Sequence, residues 1–448
     1  MLPLDFIDLM APQMGAELDA FCRALQQEPP VSVRLNDKLP EEALRAEGLP
    51  LAQPVPWAED GRYLSQRPQF TLDPLFHAGC YYVQEASSMY VQEVLRTYVP
   101  RDAVVLDLCA APGGKSTLIS QYLGSEGLLL SNEVVRQRVF ILSENMQKWG
   151  NGNTVVTHNL PRDFGERLPN LFDCILVDAP CSGEGMFRKD AKAVDEWSLR
   201  NVEMCARRQQ EILMDVWDAL RPGGILIYST CTFNGQEDEQ NACFIRDRLG
   251  AELLPLPQKA GWNLTITTGA HFYPHKVQGE GFYICAFRKH EEPYQPLRTK
   301  GEKKKTAVPV ECEAELRNWL LHPEEWAIRQ EDRFSLAYPL RYKELIDFLS
   351  TRLTCISTGF GVGEMRGKSP APQHALAMAK DFRKEAFRQV ALDLPTAQSY
   401  LRSEAVTLPD QPFGFLLLTY SGIPLGFVKN IGNHCNNLYP KEWRIRNL

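Results

Sequence analysis

Cys174-Ile175-Leu176-Val177-Asp178-Ala179-Pro180-Cys181-Ser182-Gly183 and Gly224-Ile225-Leu226-Ile227-Tyr228-Ser229-Thr230-Cys231-Thr232 share one plan: a short apolar run that reads as a buried strand, then a polar turn ending in a cysteine. Strands of this kind in a parallel sheet would deliver both thiols to one carboxyl edge, the edge at which open α/β sheets hold ligands. Upstream, Val104-Val105-Leu106-Asp107-Leu108-Cys109-Ala110-Ala111-Pro112-Gly113-Gly114-Lys115 is a third strand-to-loop junction, whose small residues let a ligand approach the backbone closely. The three loops together read as one active site.

Outward from these loops, residues 101–290 alternate apolar strand candidates with helical patterns. The spacing predicts strands at 103–108, 127–131, 154–157, 174–178, 225–229 and 282–287, and a helix with Ile212, Leu213, Val216, Trp217 and Leu220 on one face, stopped by Arg221-Pro222-Gly223-Gly224. Alternation of this kind is the signature of an α/β, Rossmann-like catalytic domain built on a parallel sheet. The 448 residues exceed one ordinary core, and we divide them into a small N-terminal domain (1–100), the catalytic domain (101–290), a linker (291–309), a small α+β domain (310–389) and a β-rich module (390–448). In the first of these, Val31-Ser32-Val33-Arg34-Leu35-Asn36 alternates as a half-buried strand does. Its polar face, Ser32, Arg34 and Asn36, reads as solvated with Arg34 in an ordinary ion pair, or else as a contact for phosphate. Lys300-Gly301-Glu302-Lys303-Lys304-Lys305-Thr306 reads as a charged hinge.

Composition narrows the class. With 44% hydrophobic and 23% charged residues and no apolar run near the roughly 20 residues of a membrane helix, the chain reads as soluble, without a membrane partner. Its start, Met1-Leu2-Pro3-Leu4-Asp5, lacks the basic opening of a secretory signal, so a cytoplasmic protein is expected. The 12 cysteines form no CxxC pair and meet no histidine cluster at zinc spacing. Most are expected to be buried thiols, with no metal bound. A formal charge of −7 excludes indiscriminate polyanion binding. Any nucleic-acid surface must be local, and Lys429, Lys441, Arg444 and Arg446 form the one basic cluster near the C-terminal end.

The glycine-rich loop discriminates among cofactors. Gly-Gly-Lys-Ser at 113–116 looks like the end of a P-loop, but the glycine that motif needs five positions before Gly114 is Cys109. The dinucleotide pattern GxGxxG fails too. What remains is a strand, a loop of small residues (Cys109, Ala110, Ala111, Pro112, Gly113, Gly114 and Lys115), and an acid about 20 positions further on, Glu133, placed to hold ribose hydroxyls. S-adenosylmethionine has such a ribose and no phosphate. The thiols supply the complementary half. Carbon 5 of cytosine is a poor nucleophile unless a thiolate adds to carbon 6, and such a thiolate needs a polar, partly open setting. Cys231, followed by the cap-like Asn234-Gly235-Gln236-Glu237, suits that role. Asp178 is placed to hydrogen-bond the base's amine and ring nitrogen, Lys115 to meet its carbonyl or the thiolate, and Cys181 to assist breakdown of the adduct.

Taken together these motifs resemble the Sun family of RNA cytosine-5 methyltransferases, in particular its RsmF-like bacterial ribosomal RNA members. The resemblance rests on residues 106–115, Asn132-Glu133, Asp178 to Asp190 and Tyr228 to Thr232, and extends from Val33-Arg34-Leu35-Asn36 to Gly279-Glu280-Gly281-Phe282-Tyr283. The final Leu425-Gly426-Phe427-Val428-Lys429 and Asn436-Asn437-Leu438-Tyr439-Pro440-Lys441 are similar to the PUA-like RNA-binding module of those enzymes. The resemblance implies Cys231 as nucleophile and Cys181 as the thiol needed for product release. It also implies that residues 109–115, Glu133, Arg138 and Asp178 line the S-adenosylmethionine pocket. The expected substrate is ribosomal RNA or the small ribosomal subunit, and the expected state a monomer. After the third strand the family often has an acid near the adenine; here His158-Asn159-Leu160-Pro161-Arg162-Asp163 leaves Asn159 or Asp163 in its place. Transfer RNA as substrate, a nucleotide hydrolase using 113–116, and an assembly factor with vestigial loops are the rival readings.

Overall fold

A computed structural model of the chain describes residues 2–297, 310–366 and 369–446. The Lys300 to Thr306 stretch expected to be a hinge lies outside the described residues. The first sheet contains β1 (Ser32–Leu35), β2 (Leu51–Val55), β3 (Ala58–Leu64) and β4 (Tyr81–Val83), in the order β2-β3-β1-β4, each pair antiparallel.

The central sheet takes β5 (Val104–Asp107), β6 (Leu128–Asn132), β7 (Thr154–Thr157), β8 (Phe172–Asp178) and β9 (Leu220–Thr230), all parallel, in the order β9-β8-β5-β6-β7. Their near-continuous apolar runs are buried on both faces, as a helix-covered parallel sheet requires. Beyond β9 the sheet continues through β10 (Glu252–Leu253), β11 (Thr265–Ile266), β12 (Ala270–His271) and β13 (Tyr283–Arg288). The last predicted strand therefore enters antiparallel, with Tyr283 opposite Thr230, and braces the strand that ends at Cys231. A second difference concerns 221–224. The helix has already ended at Trp217, and Arg221-Pro222-Gly223-Gly224 opens β9 instead of stopping a helix.

The next segment forms β14 (Trp326–Glu331), β15 (Phe334–Pro339), β16 (Cys355–Thr358), β17 (Phe360–Arg366) and β18 (Ser369–Pro372). Four of these make the sheet β14-β15-β17-β18, while β16 crosses over to pair antiparallel with β7 and closes the far edge of the catalytic sheet. The last sheet is β19 (Arg388–Ala391), β20 (Gly414–Tyr420), β21 (Ile423–Asn430) and β22 (Cys435–Asn437), in that order.

Two packing features differ from expectation. The face carrying Ser32, Arg34 and Asn36 is neither solvated nor available to phosphate: Arg34 is 1% exposed. Its guanidinium donates to Gln84 Oε1 (2.9 Å) and Gly114 O (3.4 Å), reaches Gln121 and Thr117, and lies 4.3 Å from the Trp149 ring centroid. Asn36 Nδ2 donates to Gly79 O (2.8 Å) and Trp149 O (2.9 Å). The alternation is real, but the polar face of the strand is pressed against the catalytic domain, so both faces are covered. The terminal sheets also share one core. Val33, Leu35, Leu75 and Tyr81 pack in a single cluster with Tyr400, Leu416, Leu425 and Val428. Cutting the chain near 390 would strip apolar cover from the N-terminal sheet, so truncation does not isolate the role of the last module.

Candidate active site

Three parallel strands end side by side, and their loops meet. After β5, Gly113 has φ +122°, a backbone that favours glycine, and helix Gly114–Leu123 starts from it. That turn aims Lys115 at the end of β8, where its Nζ lies 2.8 Å from Asp178 Oδ2. Asp178 Oδ1 accepts from Ser229 Oγ at 2.8 Å, which ties β8 to β9. Burial works against the Lys115 ammonium, yet the Asp178 carboxylate, with Asp107 and Cys231 behind it, holds it above the usual lysine range. Lys115 Nζ also stands 5.1 Å from the centroid of the Phe282 ring, contributed by the antiparallel return.

Three residues past Asp178 and two past Ser229 come the thiols. Cys181 Sγ and Cys231 Sγ are 3.0 Å apart, each half-buried. The hydrogen bond to Cys231, burial, and the charge of Cys231 push the Cys181 thiol well above its ordinary value. Cys174, Cys285 and Cys109 are likewise pushed up by burial. Cys243, expected to be a core thiol like Cys174 and Cys285, is only half-buried.

Beside the Lys115–Asp178 pair is a cavity of about 180 Å³ lined by Asp107, Cys109, Ala110, Ala111, Pro112, Gly114, Lys115 and Asp178 from the catalytic domain and by Tyr82, Gln84, Glu85 and Ser88 from the N-terminal segment. Within it, Asp107 is fully buried, its Oδ2 accepts from Ser116 Oγ at 2.6 Å and its Oδ1 has no partner. Burial raises Asp107 to about 7. The serine of the apparent P-loop ending is thus turned inward to an acid, and its lysine is engaged by Asp178. Neither is disposed toward a phosphate.

Glu133 and Arg138 sit behind this cavity and are not among the residues lining it. Glu133, 3% exposed at the end of β6, accepts from Val135 N at 2.8 Å and pairs with Arg138 at 3.4 Å. Arg138 Nη2 in turn holds Ala111 O at 2.7 Å. The two candidates for the acid after β7 are engaged elsewhere: Asn159 Oδ1 accepts from Thr354 N (3.1 Å) and Asp163 Oδ2 from Leu160 N (2.9 Å). Asn234-Gly235-Gln236-Glu237 precedes a helix, as read, but the helix itself spans Glu239–Arg248. The residues that line the cavity and escaped the sequence reading are Tyr82, Gln84, Ser88 and Asp107. Their one sequence signal was the polar run Gln84-Glu85-Ala86-Ser87-Ser88 straight after a strand.

Asp238, Glu239 and His271 lie together below the Cys231 loop. His271 Nε2 contacts Glu239 Oε1 at 2.6 Å while its Nδ1 faces Asp238 at 3.9 Å. The acids stand on opposite nitrogens of one ring rather than around a common point.

A small nucleoside cofactor fits these residues: a cavity walled by small side chains, a buried acceptor without a partner in Asp107 Oδ1, and Gly114, whose added Cβ would stand 3.3 Å from the Tyr82 ring. Comparison with known proteins agrees. Residues 97–288 match the family described as 16S rRNA methyltransferase RsmB/F, residues 2–86 the N-terminal domain of 16S rRNA methyltransferase RsmF, and residues 387–445 the methyltransferase RsmF PUA domain. A methyltransferase homologue from Pyrococcus horikoshii is 27% identical with a TM-score of 0.53, covering 64% of this chain and 100% of that one. The NSun6 structure from the same organism with SFG, 22% identical with a TM-score of 0.55 over 65% of this chain and 99% of that one, shares the fold. Fold and site define an S-adenosylmethionine-dependent methyltransferase. The ribosomal RNA small subunit methyltransferase F of Erwinia tasmaniensis is 33% identical over 87% of this chain and 84% of its own, and that of Enterobacter sp. 32% identical over 98% and 95%. The chain belongs to this family of 16S ribosomal RNA methyltransferases. Among the described residues no helix is long and apolar enough to cross a membrane.

Proposed function

We propose that the protein methylates carbon 5 of a cytidine in small-subunit ribosomal RNA, in the cytoplasm, through a covalent adduct on Cys231. The observation that carries this reading is the pair of sulfurs 3.0 Å apart, beside the Lys115–Asp178 pair at the mouth of the cavity. A methyltransferase acting on oxygen or on an exocyclic nitrogen has no use for two thiols at that point.

When bound, S-adenosylmethionine supplies an electrophilic methyl group; residues 109–115, Asp107 and Asp178 would hold it, with Glu133 and Arg138 bracing the loop. The chain's own groups do the rest. Cys231, as thiolate, adds to carbon 6 of the base, and the electron pair displaced from the carbon 5–carbon 6 double bond makes carbon 5 nucleophilic. Asp178 hydrogen-bonds the amine and ring nitrogen, and Lys115 is positioned for the carbonyl oxygen, where negative charge collects. Cys181 is the poorer attacker because Cys231 and burial keep it protonated. Once Cys231 has become a neutral thioether, the Cys231 charge that raised Cys181 is gone. Cys181 then loses its proton more readily and is placed to take the proton from carbon 5, and the released electrons re-form the double bond and expel the Cys231 thiolate.

The test is methyl transfer from labelled cofactor to small-subunit RNA and to assembled subunits, followed by bisulfite mapping. One or more cytidines that resist conversion only when the protein is present are expected. Label that enters RNA without any bisulfite-resistant cytidine would overturn the cytosine-5 assignment.

Two further outcomes are expected. Glu133→Ala removes the carboxylate that braces Arg138 and faces the ribose in this reading, so cofactor affinity should fall by about 1.5 to 3 kcal/mol in a calorimetric titration. RNA affinity should stay within error. On the PUA domain, Phe413 is 78% exposed and Lys429 sits 5.5 Å from the Phe415 ring centroid, an aromatic and basic surface suited to RNA. Lys429→Ala and Lys441→Ala should each lower the slope of log affinity against log salt by about 1. An unchanged slope in the double variant would move the RNA contact off this face.

A further inference from the structure

The two cysteine loops hold each other through acids. Glu184, three residues after Cys181, reaches into the loop after Cys231: its Oε2 accepts from Phe233 N (2.7 Å) and Asn234 N (3.2 Å). Glu237, six residues after Cys231, reaches the other way and accepts from Ser182 N at 3.1 Å, next to Cys181. Between the acids stands Asn234. Its amide donates to Glu184 Oε1 at 2.8 Å and to Glu237 Oε1 at 2.9 Å, and its Oδ1 accepts from Glu237 N at 3.0 Å. Gln209 completes the frame, donating to Glu237 Oε2 (2.7 Å) and to Pro180 O (3.0 Å) on the near side of Cys181. All four side chains are buried. The loops touch directly as well, Gly185 N donating to Cys231 O at 2.7 Å. A Cβ on Gly185 would meet that oxygen at 2.8 Å.

Two carboxylates in a dry site without a cation are costly unless donors saturate them. Burial raises Glu184 to about 7 against the pull of its N–H partners, and raises Glu237 too. A structure meant only to pack two loops would place apolar side chains here. Polar groups that are fully satisfied instead fix one arrangement and exclude neighbouring ones.

We propose that Asn234, with Glu184 and Glu237, is a reciprocal latch that sets the approach of the two sulfurs, and that Asn234 is a positioning residue for product release. The consequence for release rests on the thiol roles given above; the latch itself does not. Loosening it separates the sulfurs. Attack by Cys231 needs only Cys231 and the base, whereas proton removal needs Cys181 held close to the adduct.

The full-length Asn234→Ala and Glu237→Asp variants test this in two ways, after folding and cofactor affinity are confirmed. The first is geometric. Diamide oxidises two adjacent thiols to a disulfide and is itself reduced to the hydrazine, so the rate of the Cys181–Cys231 cross-link, read by peptide mapping, reports sulfur approach. It should fall at least about tenfold in both variants, since effective concentration depends steeply on position. An unchanged rate overturns the latch. The second is mechanistic. With ribosomal RNA and S-adenosylmethionine, both variants should accumulate a denaturation-resistant protein–RNA complex, as Cys181→Ala does. Slow cross-linking without such a complex, where Cys181→Ala does trap one, overturns the role in release. Slow cross-linking with no complex even from Cys181→Ala leaves the latch standing and removes the thiol assignment beneath the release step. Lower thermal stability alone, with both readouts as in the unmodified protein, marks an ordinary structural asparagine.

Discussion

Cys231→Ala is expected to lose methyl transfer by roughly 10⁴-fold or more and to form no covalent RNA complex, because without addition at carbon 6 no activated carbon 5 exists. Cys181→Ala is expected to lose turnover as well, but in the opposite manner. Cys231 still attacks, and the methylated adduct stays on the protein as a species that survives denaturing electrophoresis, requires S-adenosylmethionine and vanishes in the double variant. The 3.0 Å sulfur separation makes the reverse assignment a real alternative, since either thiol is near the other's position. What separates them is that Cys181 is the member held protonated and packed closest to the buried Glu237 frame. Trapping by Cys231→Ala in place of Cys181→Ala would reverse the roles. If neither variant trapped RNA and both only lowered stability, the two would be packing thiols.

Arg34→Met is expected to cost about 3 to 5 kcal/mol of stability, the range for removing one partner from a buried, hydrogen-bonded charge network. Methionine fills part of the volume over Trp149. It leaves Gln84 Oε1, Gln121 Oε1 and the Gly114 carbonyl without their donor in a site where burial already pulls Arg34 down to about 9. The effect should reach the cavity, because Gln84 lines it and Gly114 begins the helix that carries Lys115. Cofactor affinity should therefore fall along with the thermal midpoint. A variant that kept both would show that the N-terminal sheet is not what holds the loop. Arg34→Ala, which also opens a void, should be worse.

Much of the catalytic fold was legible because its strands are short apolar runs ending in distinctive turns. Cys181 and Cys231 fall at the ends of strands that pair directly, Asp178 opposite Ser229, so a reading from strand ends alone brought the sulfurs together. The loop 109–115 was legible by elimination of phosphate motifs. Arg34 was not. Period-2 alternation reports that two faces differ, and it cannot tell water from a polar protein surface pressed against the second face. The wall formed by Tyr82, Gln84 and Ser88 escaped for a related reason: those residues reach the cavity through tertiary docking of one domain on another, which leaves no local periodicity. The antiparallel entry of β13 was hidden because strand direction is set by the route of the connection. The buried acids Glu184 and Glu237 looked like surface residues, since a charged side chain is seldom fully buried unless its partners are supplied by distant segments.

The core shared by the first and last sheets bears on how the protein is made. Val33 and Tyr81 leave the ribosome long before Leu416 and Val428, with which they pack. Contacts that distant in sequence form late, after the intervening chain has been translated. Until then the sheet that supplies Tyr82 and Gln84 to the cavity lacks part of its apolar cover. A nascent chain stalled before the final sheet would thus carry every cysteine and acid of the catalytic loops and still have an unsupported wall beside its cofactor cavity, so competence is acquired only when synthesis is nearly complete.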